Sequence, residues 1–559
     1  MLVSVLLTTL KTTLGLVGLT AGFVACRLSL AFLREWRSSA RLLPGPPTKD
    51  WLSGSFGELR DNPDAEQGWI ARWGRTMRLR SFLGLGIVYT LDTTALHHIL
   101  TRTDIYQKSD GARFSLGRLV GPGILVVEGE QHRQQRRIMN PAFGAPQVRA
   151  LTSIFVDKSL QLRDLWAAQT TETGSANVEA LSWLSKATLD VIGLAGFNHD
   201  INSLGGAHDE LAESFERIFG SGGEFSFIRL LQMLVPWFRR LPIDADTSVL
   251  DAQAKMKSIG RRLLAEAKRE AVENRTFETG HGRDLLTLLV KANTSKDIPD
   301  SQRLSDEDVI AQVPTFLVAG HETTSTAPSF RAELLSVPTD TPTMDELNAL
   351  PYLECFVREA SRLYAPVLGT GRNAVKDDVV PLGTPITDTK GNVVDSIRYA
   401  SSSPPTAACA ASKSLILFSD DRVKKGQPFL VPIAALNKDT NIWGPDALEF
   451  KPERWETTQP PPSDLLATAI PGVWGHMLTF LGGPRGCIGF RFSLVETKAL
   501  LFTLVRAFEF ELAAGEGGEK LEISSRGNGI VERPIVKSEM EKGCQLPLLI
   551  RPVGSQKQV

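Results

Sequence analysis

The chain has 559 residues, 42% hydrophobic and 22% charged, the composition of a globular protein with a large core. Lysine and arginine number 62 against 63 acidic residues, and a formal net charge of −1 excludes bulk nucleic-acid binding. The five cysteines, Cys26, Cys355, Cys409, Cys487 and Cys544, show no paired spacing, which excludes a zinc site and a disulfide framework and fits a reducing compartment.

Residues 1–33 read as a membrane anchor. Leu14 to Ala25 carries no charge, and through Phe32 only Arg27 interrupts an apolar stretch near the roughly 20 residues that span a bilayer. A cleaved signal peptide would show a short apolar region and a small-residue cleavage site, and neither is clear here. Arg27, Arg34, Arg37 and Arg41 against Lys11 alone on the other side place the body in the cytoplasm. Residues 34–47 form a basic, Pro-rich hinge, with Leu43-Pro44-Gly45-Pro46-Pro47 as its stiff part.

From residue 48 to 559 no repeat or long linker divides the chain, so one large domain is expected. Its pattern is mainly helical with a small β subdomain, the first strands lying near Met77 to Leu91. The apolar run Phe225 to Val235 is equally a core helix, a pocket lining or a membrane contact. Ser305 followed by Asp306-Glu307-Asp308 predicts a capped helix that carries Thr315 to Thr326. Pro314 and Pro328 sit poorly inside a helix. Tyr399 to Arg422, with Ser401-Ser402-Ser403-Pro404-Pro405 and an Ala-rich tract, reads as a disordered loop.

The stretch Phe480-Leu481-Gly482-Gly483-Pro484-Arg485-Gly486-Cys487-Ile488-Gly489 carries the chemistry. Gly483, Gly486 and Gly489 permit positive φ and close backbone approach, so amide N–H groups can reach the sulfur. A helical pattern from Phe490 to Phe508 sets it near a helix N-terminus, and both features favour a thiolate. Arg485 is a fixed cation suited to a carboxylate. Such a thiolate is what a haem iron requires when dioxygen is to be split. A buried free cysteine in a glycine turn needs none of these fixed neighbours.

The pattern Phe-x-x-Gly-x-Arg-x-Cys-x-Gly resembles the cytochrome P-450 family of haem-thiolate monooxygenases. Ala319-Gly320-His321-Glu322-Thr323-Thr324, Glu359-Ala360-Ser361-Arg362 and Pro452-Glu453-Arg454-Trp455 resemble three further motifs of that family, in order. The resemblance runs from about Pro44 to the C-terminus, and Asn140-Pro141-Ala142-Phe143 is similar to the fungal, membrane-anchored type. It implies the P-450 fold, preceded by one N-terminal transmembrane helix, with haem b (iron protoporphyrin IX) as cofactor and Cys487 as axial iron ligand. Phe480, Gly483, Arg485 and Gly489 would surround the haem, with His132, Arg136 and Arg372 reaching its propionates. His132 stands where the family has Trp, in a stretch polar enough for a surface residue. Gly320 would leave room for dioxygen, and Glu322 and Thr323 would relay protons, although such a pair alone is as often a cap or turn. Glu359, Arg362 and Arg454 would form a buried ion network.

The function so implied is oxidation, typically hydroxylation, of a hydrophobic small molecule at the cytoplasmic face of the endoplasmic reticulum. NADPH and flavins would act only through NADPH-cytochrome P-450 reductase, with cytochrome b5 as an optional donor and membrane lipid as a further partner. Two alternatives stay open: a non-catalytic, membrane-anchored haem or lipid binder, and a same-fold isomerase or dehydratase, which Glu322-Thr323 argues against. The chain departs from the family twice. About five turns of helix are missing near 327–330, where Ala327 runs through Pro328 into Phe330. Conversely, 399–422 is an inserted loop or retained intron: Arg398-Tyr399-Ala400 can encode a donor-like GTAYGC and Asp421-Arg422 an acceptor-like CAG, in frame.

Overall fold

The computed structural model describes residues 2–554 except 274–283, 295–302, 319–327, 398–424, 457–469, 529–530, residues 49, 52, 63, 64 and 516, and 208–246 apart from four isolated positions. Gly320, Glu322 and Thr323, the apolar run 225–235, the insertion 399–422 and the junction before Pro328 therefore lie outside the described residues. What is described is mainly helical with small sheets, as the patterning predicts.

The N-terminal helix α1 runs Leu2–Arg37. Among the described residues no helix is long and apolar enough to cross a membrane, so the expected span is not shown. Lys11 and Arg27 bracket the uncharged stretch of α1, which falls short of the roughly 20 residues that a spanning helix uses. The Pro-rich segment after it is no free hinge. Leu43 is buried in the core, the Pro44 carbonyl accepts a 2.8 Å hydrogen bond from the Arg78 amide, and Arg78 also pairs with Glu35 of α1. A Cβ on Gly45 would overlap the Arg78 carbonyl, so only glycine lets the segment lie this close.

The strand-rich patch forms a hairpin, β1 (Thr76–Arg80) and β2 (Gly86–Thr90), paired from Thr76↔Thr90 to Arg80↔Gly86. Met77, Leu79 and Val88 are wholly buried, the period-two face of a half-buried sheet. Helix α2 (Thr93–Thr101) follows, capped by Asp92, and leads to the short strand β3 (Tyr106–Gln107). With β4 (Thr370–Ala374) and β5 (Pro428–Val431) these strands make one sheet in the order β1-β2-β5-β4-β3. That order brings Lys108, just past β3, beside Arg372 of β4.

Helix α3 (Gly129–Met139) and the long α4 (Ala145–Thr170) contribute Ile138, Met139, Leu151 and Phe155 to the main helical core. The Ser305 cap forms as predicted, with a reciprocal capping box to Asp308, but the helix it opens is only α5 (Asp306–Ile310). A new helix, α6 (Gln312–Val318), starts after Ala311. The break places Pro314 in the first turn, where a missing N–H costs nothing. The next described helix runs Pro328–Leu335.

Helix α7 (Pro351–Leu363) buries one face, including Phe356, which stacks on Phe330 at 4.6 Å between ring centroids. Strands β6 (Gly472–Trp474) and β7 (Met477–Gly482) then lead into the cysteine loop and α8 (Phe490–Ala507). Phe492, Val495, Ala499, Phe502 and Val505 recur at helical spacing on α8 and are all buried. They pack against α4, where the Phe155 and Phe492 rings meet edge to face at 4.7 Å. The cysteine is thus carried by a loop fixed between strand β7 and helix α8.

Candidate active site

The cysteine loop is held by its own backbone. The Cys487 amide donates to the Phe480 carbonyl at 2.8 Å and the Gly486 amide to that of Gly483 at 3.0 Å. Of the three glycines, only Gly483 is left-handed, at φ 65°, and a Cβ there would stand 2.6 Å from the Leu100 carbonyl of α2. Gly486 has negative φ and is needed for space, since its Cβ would meet Val473 at 2.6 Å, whereas Gly489 has ordinary room. Phe480 packs its ring between Trp474 and Phe490.

Burial pushes the Cys487 thiol up, and the Gly489 amide and the Arg136 charge only partly offset this. Two nearby donors do not repay the desolvation of a sulfur anion. Cys487 would hold a metal through its sulfur, and coordination would favour the thiolate.

Glu359, Arg362 and Arg454 form an ion network. Glu359 and Arg362 are both wholly buried, joined by bonds of 2.8 and 2.7 Å, and Arg454 reaches Glu359 at 3.4 Å. Arg362 spends its other donors on the carbonyls of Asn437, Ala447 and Glu449. Burial alone would push the Glu359 carboxyl up, but Arg362, the Lys451 amide and Trp455 hold it below its ordinary value. Arg454 and Lys451 likewise hold Asp446 down to about 2. Asn437 and Thr479 tie this network to the loop, and sequence patterning had passed over both. Asn437 bonds Thr479 at 2.8 Å and the Leu478 amide at 3.0 Å, while Thr479 donates to the Ser361 carbonyl of α7 at 2.7 Å. Strand β7 is thereby bolted to the Glu-x-x-Arg helix.

On the other side of the loop, cations converge. Lys108, which the sequence patterning does not mark, feels the charges of Arg372 of β4 and Arg485, and His132 of α3 feels those of Arg136 and Lys108. His132 is buried despite its polar surroundings, and burial with the charges of Arg136, Lys108 and Arg133 pushes its pKa down to about 4. It therefore acts as a neutral imidazole near pH 7. Arg372 is 3% exposed and pairs only with Thr370 and the Gly371 carbonyl, and burial brings its pKa down to about 10. Burial and Arg113 do the same to Arg485. Lys108 falls well below its usual range through burial and the charges of Arg372, Arg485 and Arg113. Among the described residues, neither Arg372 nor Lys108 has a carboxylate partner.

Buried like charges left without counter-ions are costly, and the cost disappears when an anion binds. A cavity of about 630 Å³ is lined by His132, Arg133, Arg136 and Arg137, by Asn140 and Pro141, and by Gly483 and Pro484 of the cysteine loop. The donor set fits a haem: one soft sulfur on a rigid loop, and a cradle of cations and donors for two carboxylates.

The family model for cytochrome P-450 matches residues 44–387 and 395–535 of this chain. The chain is 46% identical over 540 residues to cytochrome P-450 monooxygenase 205 of Postia placenta, covering 92% of this chain and 93% of that protein. It is 43% identical over 559 residues to cytochrome P-450 monooxygenase 128 of the same fungus, covering 95% and 96%. To cytochrome P-450 monooxygenase claO of Ampulloclitocybe clavipes it is 33% identical over 539 residues, covering 91% and 93%. The chain belongs to the cytochrome P-450 family. Its class is that of the monooxygenases, oxidoreductases whose cofactor is a thiolate-ligated haem and which work with redox partners on hydrophobic substrates.

Proposed function

We propose that this protein oxidises, typically hydroxylates, a hydrophobic small molecule with dioxygen, drawing electrons from NADPH through NADPH-cytochrome P-450 reductase, with cytochrome b5 as an optional donor. The observation that carries this reading is the buried cation cluster near a cysteine on a rigid loop, in which Arg372 and Lys108 lack a carboxylate partner among the described residues. Haem b, when bound, supplies the dioxygen chemistry.

The chain's own residues then have distinct tasks. Cys487 gives its sulfur to the iron, while Phe480, Gly483 and Gly489 fix the loop that presents it. Arg372, Arg136 and Arg485 anchor the propionates, and neutral His132 donates a hydrogen bond. The resemblance assigns proton relay to the Thr323 hydroxyl and the Glu322 carboxyl, and room for dioxygen to Gly320. The pair Glu359 and Arg362, with Arg454, stabilises the proximal half without touching substrate.

Exposed Arg133 and Arg137 flank the cavity and suit an acidic docking partner such as a reductase. Helix α1 attaches the protein to the endoplasmic reticulum membrane from the cytoplasmic side, an arrangement supported by uncharged Leu14 to Ala25 and the arginines after it. The reading is tested by incubating the full chain with reductase, NADPH and labelled dioxygen over a panel of lipophilic compounds. One labelled oxygen atom in a product supports it. Haem incorporation without substrate-dependent NADPH oxidation across the panel favours the non-catalytic binder.

A further inference from the structure

Glu128 is the point at which three parts of the site meet. It holds the N-cap position of α3 with extended backbone, φ −126° and ψ 170°, yet its side chain makes no capping bond to that helix. A carboxylate at a helix N-terminus ordinarily gains from the orphan amides and the dipole there. This one turns away. Its Oε2 accepts from Nη2 of Arg485 in the cysteine loop, and its Oε1 accepts from the backbone amide of Lys108 at 3.1 Å. Both partners of the pair are almost fully enclosed, with side chains 5% and 6% exposed. The other terminal nitrogen of Arg485 lies 3.4 Å from the Ile124 carbonyl.

Arg485 feels the charge of Arg113, and Lys108 feels those of Arg372, Arg485 and Arg113, with no carboxylate partner for Lys108 or Arg372 among the described residues. A free guanidinium on a flexible stem would turn away from such neighbours toward water. Glu128 prevents that, and the same carboxylate ties down the chain just past β3. A guanidinium has five N–H donors and Glu128 occupies one side of it, leaving others for a second carboxylate.

We propose that Glu128 is a positioning residue: it clamps Arg485 to the Lys108 backbone and so assembles, ahead of the cofactor, the cation cluster that grips the haem propionates. This rests on the haem reading above. Loss of the Glu128 charge loosens the grip on the propionates while leaving the iron–sulfur bond in place.

The experiment uses the full-length holoprotein as wild type, Glu128→Gln and Glu128→Asp, and measures haem loss to an excess of an apo-globin. The same measurement is repeated with haem dimethyl ester, which lacks propionate charge. E128Q is expected to lose haem about tenfold faster, equivalent to ~1.4 kcal/mol. Its loss of the diester stays within about twofold of wild type, and its reduced carbon monoxide spectrum keeps the thiolate band. E128D, which retains the charge, stays near the wild-type rate. The proposal is overturned if E128Q holds haem as wild type does, if both porphyrins leave equally faster, or if E128D behaves like E128Q. Absence of a thiolate band in the wild type overturns the haem reading, and the proposal with it.

Discussion

Replacing Glu359 by Gln removes the charge at the centre of the proximal network. Its Oε1 accepts from Arg362, the Lys451 amide and Arg454, and its Oε2 from Arg362 and Trp455. A glutamine keeps one oxygen, so its NH2 group must face the donors on the other side, and Arg362 is left buried with no counter-ion. Breaking one partner of a buried pair costs about 3–5 kcal/mol, a large share of the 5–15 kcal/mol that typically holds a protein together. Urea unfolding of the haem-free protein, followed by circular dichroism, reads this as a lower midpoint at unchanged slope.

The pH dependence has a definite sign. Burial pushes Glu359 up, but Arg362 and its other partners leave the folded value below the unfolded 4.5. Its contribution is therefore present above about pH 4.5 and lost as pH falls through the lower, folded value. The gap between wild type and Glu359→Gln narrows in acid accordingly. A gap under about 1 kcal/mol at neutral pH, or one unchanged down to about pH 3, contradicts the assignment of stability to this charge.

Two other substitutions probe the opposite face of the loop. Gly483→Ala puts a Cβ into a left-handed residue 2.6 Å from the Leu100 carbonyl, and is expected to cost about 1–2 kcal/mol in backbone strain before that contact is relieved. Thermal unfolding and haem content of the purified protein check it, and wild-type values for both would count against the loop geometry. Arg372→Met removes a buried cation that lacks a carboxylate partner, so the haem-free chain becomes more stable by about 1 kcal/mol while haem loss speeds up. Urea titration and the haem-transfer rate measure the two effects. If both move in the same direction, Arg372 is a structural cation only.

What was legible in the sequence was local. The cysteine loop, the Glu-x-x-Arg turn and the Ser305 capping box each lie within about ten residues, where spacing alone fixes which groups can meet. The hairpin at Met77 to Leu91 was equally visible, because alternation marks a half-buried strand. Glu128 and Lys108 were not visible: Glu128 meets Arg485 across 357 positions, and no short pattern distinguishes it from a surface acid. Asn437 and Thr479 were hidden for the same reason.

Other misreadings share one cause, that burial is a property of the whole fold. The polar run around His132 looks solvated, yet α3 packs that side inward and makes the imidazole neutral. The amides near Cys487 are visible in the sequence, whereas the burial that pushes its thiol up is not. The Pro-rich segment reads as a hinge because nothing in its sequence shows that Arg78 will hold it.

The central claim is that Cys487 ligates a haem iron held by the cations around it. Its most direct test is the spectrum of the purified protein, reduced under carbon monoxide, for wild type and Cys487→Ala. The wild type is predicted to show the red-shifted Soret band of thiolate-ligated haem, and the variant to lose that band even where it retains haem. A variant that keeps the band unchanged, or a wild type that binds haem without it, contradicts the account.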